Sequence, residues 1–224
     1  YHDRPEEDVL LLDQHFMSTS SEAVMHVPAY AGWLGRQEPA EAYRYEKKLL
    51  QLLQWRQGGK YWVLKSPHHL EYLDAFTQVF PDTHIIWMHR EVERCVPSFL
   101  SMLYHSRHLF SGAVQPQEIK AHWVEKMQNM IRRGLDFRER HPDRIIDVAY
   151  HNLIRDERAT LRRIFEEVAF LREEEISNMP ARPDRAYVSE HRYELKDWAL
   201  ENGELTARFH AYDRYLKNQL AFRR

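Results

Sequence analysis

Three side chains in the first half of the chain, Lys65, Arg90 and Ser98, have the types and spacing to hold a phosphorylated ligand. Arginine presents a planar fork of N–H donors that can meet two phosphate oxygens at once. Ser98 follows Arg90 by eight residues, near the start of an expected helix, and adds a hydroxyl. The free N–H groups of a helix start favour an anion as well. Lys65 is a separate, compact positive charge suited to a second anionic group. Arg90 also has a plainer reading, as a strand-end ion pair with Asp74 or Glu93.

The elements that must position these residues follow from the apolar pattern. Residues 61–64 form a short apolar run ending at Lys65, and Ser66 and Pro67 interrupt it. His69, Leu70, Leu73, Phe76 and Phe80 then recur at helical spacing, and Pro81 and Asp82 end that helix. Ile85, Ile86, Trp87 and Met88 make a second apolar run that stops at Arg90. Val92, Cys95, Val96, Phe99, Leu100 and Leu103 return to helical spacing, with Pro97 expected in the first turn. Strand, helix, strand, helix is the pattern of a parallel sheet covered by crossover helices. Such sheets bind ligands outside the carboxyl ends of their strands, where Lys65 and Arg90 are expected.

Elsewhere the spacing predicts a short helix over 6–16, a loop with little regular structure over 24–34, and a strong helix over 39–56 packed on the sheet. In that helix Tyr43, Lys47, Leu50 and Gln54 are expected on one side, with Tyr45, Leu49, Leu52 and Leu53 packing elsewhere. A loop over 106–116 leads to a long helix reaching residue 140, built on Ile119, Trp123, Met127, Met130 and Ile131. A third buried strand is expected over 145–150, then a helix capped by Asp156. Residues 173–193 mix charge and proline and should form an extended loop, and a last helix is expected over 206–220.

Composition limits the function classes. The 224 residues suit one α/β domain spanning the whole chain, a parallel sheet with flanking helices. A formal charge of −2 argues against a general nucleic-acid binder. The single cysteine, Cys95, excludes an internal disulfide and a cysteine-built zinc site, and its spacing makes it a small buried hydrophobe. Fourteen histidines include no H-E-x-x-H arrangement, so no metal is expected. No leader peptide and no membrane-length apolar run is visible, which points to a cytoplasmic protein. The oligomeric state is not legible.

Several short elements carry a resemblance. LKSP at 64–67, FPD at 80–82, HR at 89–90 and PS at 97–98 are similar to elements of the sulfotransferases that use 3'-phosphoadenosine 5'-phosphosulfate, closest to their broad bacterial branch. VAYHNLIRDERATLRRIF at 148–165 resembles the strand and helix that follow the donor site, with Glu157 where a proline is usual. The resemblance implies a P-loop-NTPase-like fold with that phosphosulfate as co-substrate. It implies that Arg90 and Ser98 bind the 3'-phosphate and that Lys65 lies beside the transferring sulfonate. The family's glycine- and hydroxyl-rich donor loop has no counterpart in these residues. Gly58 and Gly59 precede an apolar run rather than follow one, and so mark a turn. The chain therefore resembles roughly the last two-thirds of a family member, an N-terminally incomplete domain.

That resemblance implies direct sulfonate transfer to a small-molecule hydroxyl or amine, with Lys65 neutralising the leaving phosphate. The acceptor needs a general base. His68 and His69, directly after the LKSP element, are the first candidates, and His15, His26 and Glu22 are rivals. Tyr30, Trp33 and His26 can line an apolar or aromatic acceptor pocket, and Arg182, Arg185 or Arg192 can belong to a late loop that closes over the donor. Two alternatives stand beside the enzyme. One is a non-catalytic relative that binds or scaffolds after loss of the donor loop. The other is a nucleotide-dependent phosphotransferase, which the lack of a Walker loop and of magnesium carboxylates weakens.

Overall fold

The computed structural model describes residues 6–57, 61–168, 194–201 and 203–220. The chain divides into two compact units, one of residues 1–83 and 102–137, the other of 84–101 and 138–224.

The first unit is helical. It comprises α1 (Val9–Asp13), α2 (Ser20–Val24), α3 (Pro28–Leu34), α4 (Ala40–Gln57) and α5 (Leu73–Val79). Leu12, Met17, Leu34, Tyr43, Phe76 and Val79 form much of its core, with Leu64 packed against them. The expected loop over 24–34 is mostly helix. Pro28 occupies the first turn of α3, where its missing N–H costs nothing, and Leu34 is buried at the far end. α4 matches its expected span and buries Tyr43, Glu46 and Leu50 on one stripe. Its other face differs from expectation, because Tyr45, Leu52 and Leu53 are exposed, as is Trp55.

Two corrections concern the segment around Lys65. Among the described residues, 61–64 form no strand, and Tyr61, Trp62 and Val63 are exposed. A strand exists only through its hydrogen-bonded neighbour, and apolar content alone does not supply one. The helix expected from His69 onward is broken into a 3-10 turn, Pro67–Glu71, and α5, with Tyr72 at a non-helical φ of −134° between them.

The second unit holds the sheet of the described residues. β1 (Ile85–His89) and β2 (Ile145–Ala149) pair in parallel, with Ile85 opposite Ile145 and His89 opposite Ala149. They are joined by α6 (Val92–His108) and α7 (Pro116–Arg140), each of which passes from one unit to the other. β2 leads through α8 (Tyr150–Arg155) to α9 (Glu157–Val168), whose Ile164 and Val168 cover Ile146 and Val148. Asp156 caps α9 by accepting the Ala159 N–H at 2.9 Å, as expected. Pro97 stands inside α6 rather than in its first turn, because the helix already begins at Val92. The expected final helix is two, α10 (Glu204–Arg208) and α11 (His210–Gln219), parted where Phe209 leaves helical geometry and is buried. The expected loop at 173–193, with Arg182, Arg185 and Arg192, lies outside the described residues. No helix among those described is long and apolar enough to cross a membrane.

Candidate functional site

Arg90 is the first residue past β1, two positions before the start of α6. Its guanidinium lies over the Tyr150 ring, 4.5 Å from the centroid, at the end of the neighbouring strand. No carboxylate among the described residues forms an ion pair with it. Glu93, one candidate partner, instead accepts a hydrogen bond from the Thr206 hydroxyl. A guanidinium stacked on a ring keeps its edge N–H groups for an oxyanion. Ser98 is half-buried further along α6, six residues past the helix start.

The strand end that carries Arg90 is anchored from below. His89 is wholly buried; its Nε2 lies 2.8 Å from Asp147 Oδ1 and its Nδ1 lies 3.0 Å from the Tyr212 hydroxyl. A carboxylate only accepts, so Nε2 donates to Asp147 and Nδ1 accepts from Tyr212. The Arg90 backbone N–H acts electrostatically on the Tyr212 phenol, opposing the effect of burial there. Arg138 Nε donates to the second Asp147 oxygen at 2.8 Å. Burial acts to raise the Asp147 pKa, but the bonds from His89 and Arg138 outweigh it and hold the carboxyl below its usual value. Burial pushes the Tyr212 phenol up, so it stays a donor.

Lys65 belongs to the first unit. Its ammonium is exposed and ion-paired with Glu7, while its backbone N–H donates to Asp8 Oδ1 at 2.8 Å. The other Asp8 oxygen lies 2.5 Å from His69 Nε2, and His69 Nδ1 lies 3.1 Å from the Tyr43 hydroxyl. The side chain of His69 is therefore engaged at both nitrogens and nearly buried. His68 is fully buried, and desolvation, with the charge of His69, pushes its pKa down to about 3. It packs on the Tyr72 ring, centroids 5.0 Å apart. Glu46, buried beside Asp8, is driven up to about 9 by burial and by that second carboxyl, and carries a proton at neutral pH. Asp8 is held below its usual value, because the His69 bond outweighs desolvation.

The remaining candidates are dispersed over the first unit. His26 makes an exposed contact with Glu118 at 3.5 Å, and the His15 ring lies 5.4 Å from Tyr45. Tyr30 donates to the Ser18 carbonyl at 2.6 Å and faces Trp33, ring centroids 5.8 Å apart. Glu22 is buried, with Lys126 at 2.6 Å and His122 at 2.8 Å, and Lys126 also reaches Glu71 at 3.3 Å. Hydrogen bonding from His122 and the charge of Lys126 hold Glu22 below its usual pKa against the cost of burial. Cys95 is half-buried, and desolvation raises its thiol to about 11. Among the described residues no group of three or more metal-ligating side chains comes together.

Pattern reasoning missed Glu7, Asp8, Tyr43, Asp147 and Tyr212, because each acts through a partner far away in sequence. Lys126 did leave a signal. It stands in phase with Ile119, Trp123 and Met130 on the buried stripe of α7, where a charge requires a partner.

Residues 1–170 match the model of a sulfotransferase family. The sulfotransferase STF1 from Mycobacterium tuberculosis H37Rv is 31% identical with a TM-score of 0.80, over 92% of this chain and 55% of its own. The sulfotransferase STF9 from Mycobacterium avium is 28% identical with a TM-score of 0.81, over 93% of this chain and 55% of its own. The chain thus spans about half the length of these solved relatives. No curated protein matches it significantly.

Proposed function

The chain belongs to the sulfotransferase family, and from that premise we propose that it takes part in sulfonate transfer from 3'-phosphoadenosine 5'-phosphosulfate to a hydroxyl or amine. Arg90 and Ser98 bind the donor's 3'-phosphate, and Lys65 neutralises charge on the 5' side as the sulfonate leaves. The observation that carries this reading is Arg90 itself. It is a strand-end guanidinium, free of carboxylates among the described residues, laid on Tyr150 at the approach to a helix N-terminus. A guanidinium used only structurally would be expected in an ion pair. The acceptor is a small, largely apolar alcohol, phenol or amine, for which the Tyr30–Trp33 pair offers aromatic surface.

Calorimetry with 3'-phosphoadenosine 5'-phosphate tests the reading. Arg90→Ala should weaken binding by about 2–3 kcal/mol, roughly 30- to 150-fold, the value of a charge-assisted bond to an oxyanion. Unchanged affinity in a folded variant removes Arg90 from the phosphate.

A further inference from the structure

The geometry points to Glu7 as the group that takes the proton from the acceptor, with Asp8 and His69 as positioning residues beneath it. This rests on the sulfonate-transfer reading and identifies the base it requires.

A general base must lie within hydrogen-bond reach of the atom that attacks sulfur, and therefore near the cation beside the sulfonate. The Lys65 ammonium touches Glu7, and both ends of the pair reach solvent, the side chains being 73% and 39% exposed. The other titratable groups behind Lys65 are closed to a substrate. Asp8, at 4% side-chain exposure, spends one oxygen on the Lys65 backbone and the other on His69. His69 has Asp8 on one nitrogen and Tyr43 on the other. His68 and Glu46 are wholly buried. Glu7 is thus the carboxylate around Lys65 that a bound molecule can reach. Its position is set by Asp8, the next residue, which ties the start of the described chain to Lys65 across 57 residues.

Before substrates bind, Glu7 and Lys65 neutralise one another. With substrates in place Lys65 turns to the donor phosphate, and a Glu7 oxygen accepts the hydroxyl proton. The acceptor oxygen bonds to sulfur as the bond from sulfur to the bridging phosphate oxygen breaks. That electron pair stays on 3'-phosphoadenosine 5'-phosphate, and Glu7 returns its proton to water.

Glu7→Gln keeps the shape and removes the base. Transfer to an aliphatic alcohol should fall about 100- to 10,000-fold in kcat, the usual range for one general base. Transfer to 4-nitrophenol, largely ionised at mildly alkaline pH, should fall far less, and affinity for 3'-phosphoadenosine 5'-phosphate should hold. Glu7→Asp should recover part of the alcohol rate. Equal losses with both acceptors, or an alcohol rate that survives Glu7→Gln, overturn the assignment while leaving sulfonate transfer standing. A wild-type chain that binds no nucleotide and transfers to neither acceptor overturns both.

Discussion

Each unit holds a buried aspartate–histidine–tyrosine relay behind an exposed or half-exposed cation. In the first unit Asp8, His69 and Tyr43 are linked at 2.5 and 3.1 Å, and Asp8 also takes the Lys65 backbone N–H. In the second, Asp147, His89 and Tyr212 are linked at 2.8 and 3.0 Å, and His89 immediately precedes Arg90 in the chain. The likeness is in wiring, since neither chain order nor local structure is shared. The difference is in what balances the aspartate. Asp147 is paired with Arg138, whose charge is permanent, whereas Asp8 sits beside Glu46, whose charge is absent at neutral pH. The second relay is therefore balanced by a fixed charge, and the first by a neighbour that holds a proton it can lose.

Removing the aspartates should separate the two most strongly. Asp147→Ala leaves Arg138 and His89 without their acceptor and should cost about 3–5 kcal/mol in urea unfolding. Asp8→Ala should cost less, because Glu46 is then free to ionise and replace the missing charge opposite His69. Equal losses would show that Glu46 does not substitute.

The next effect is one of pH. Glu46 has a folded pKa raised to about 9, so above its ordinary value the folded state holds a proton that the unfolded state has released. Stability should therefore fall as pH rises through this window, by up to about 1.4 kcal/mol per pH unit, and level off above it. The depressed Asp8 acts oppositely, contributing stability that is lost only as pH falls below the ordinary carboxylate range. Glu46→Gln, which can still donate to Asp8, should flatten the slope above pH 5. A slope unchanged in that variant assigns it elsewhere.

The smallest effect is the most diagnostic. Tyr43→Phe and Tyr212→Phe should each cost about 1 kcal/mol of stability for one buried hydrogen bond. Tyr212→Phe should also weaken 3'-phosphoadenosine 5'-phosphate binding by a few-fold, because it loosens His89, the residue before Arg90. Identical nucleotide affinities in the two variants would limit Tyr212 to a packing role.

Much of the frame around Arg90 was legible in advance. The run 85–88, the break at Arg90 and the helical spacing after Val92 follow from the two periodicities of backbone geometry, and β1 and α6 lie where they predict. The strand at 145–149 and the Asp156 cap were equally local. Residues 61–64 depart from the expected strand for a physical reason. An apolar run states only that it can be buried, and whether it joins a ladder depends on a partner that the run does not encode. The same limit applies to Tyr45, Leu52 and Leu53, whose spacing suits packing and which remain exposed. Proline favours a first helical turn, yet α6 begins five residues before Pro97.

By itself the sequence determined that Arg90 stands at the end of a strand and that Lys65 precedes the break at Ser66 and Pro67, because helix and strand periods, and the residues that break them, are local properties of the chain. Only the tertiary structure decided what surrounds those cations. Glu7 meets Lys65 across 58 residues and His89 meets Tyr212 across 123, and burial then fixes which groups keep or lose a proton. Solvation and charge pairing depend on distance in space, which no spacing along the chain specifies.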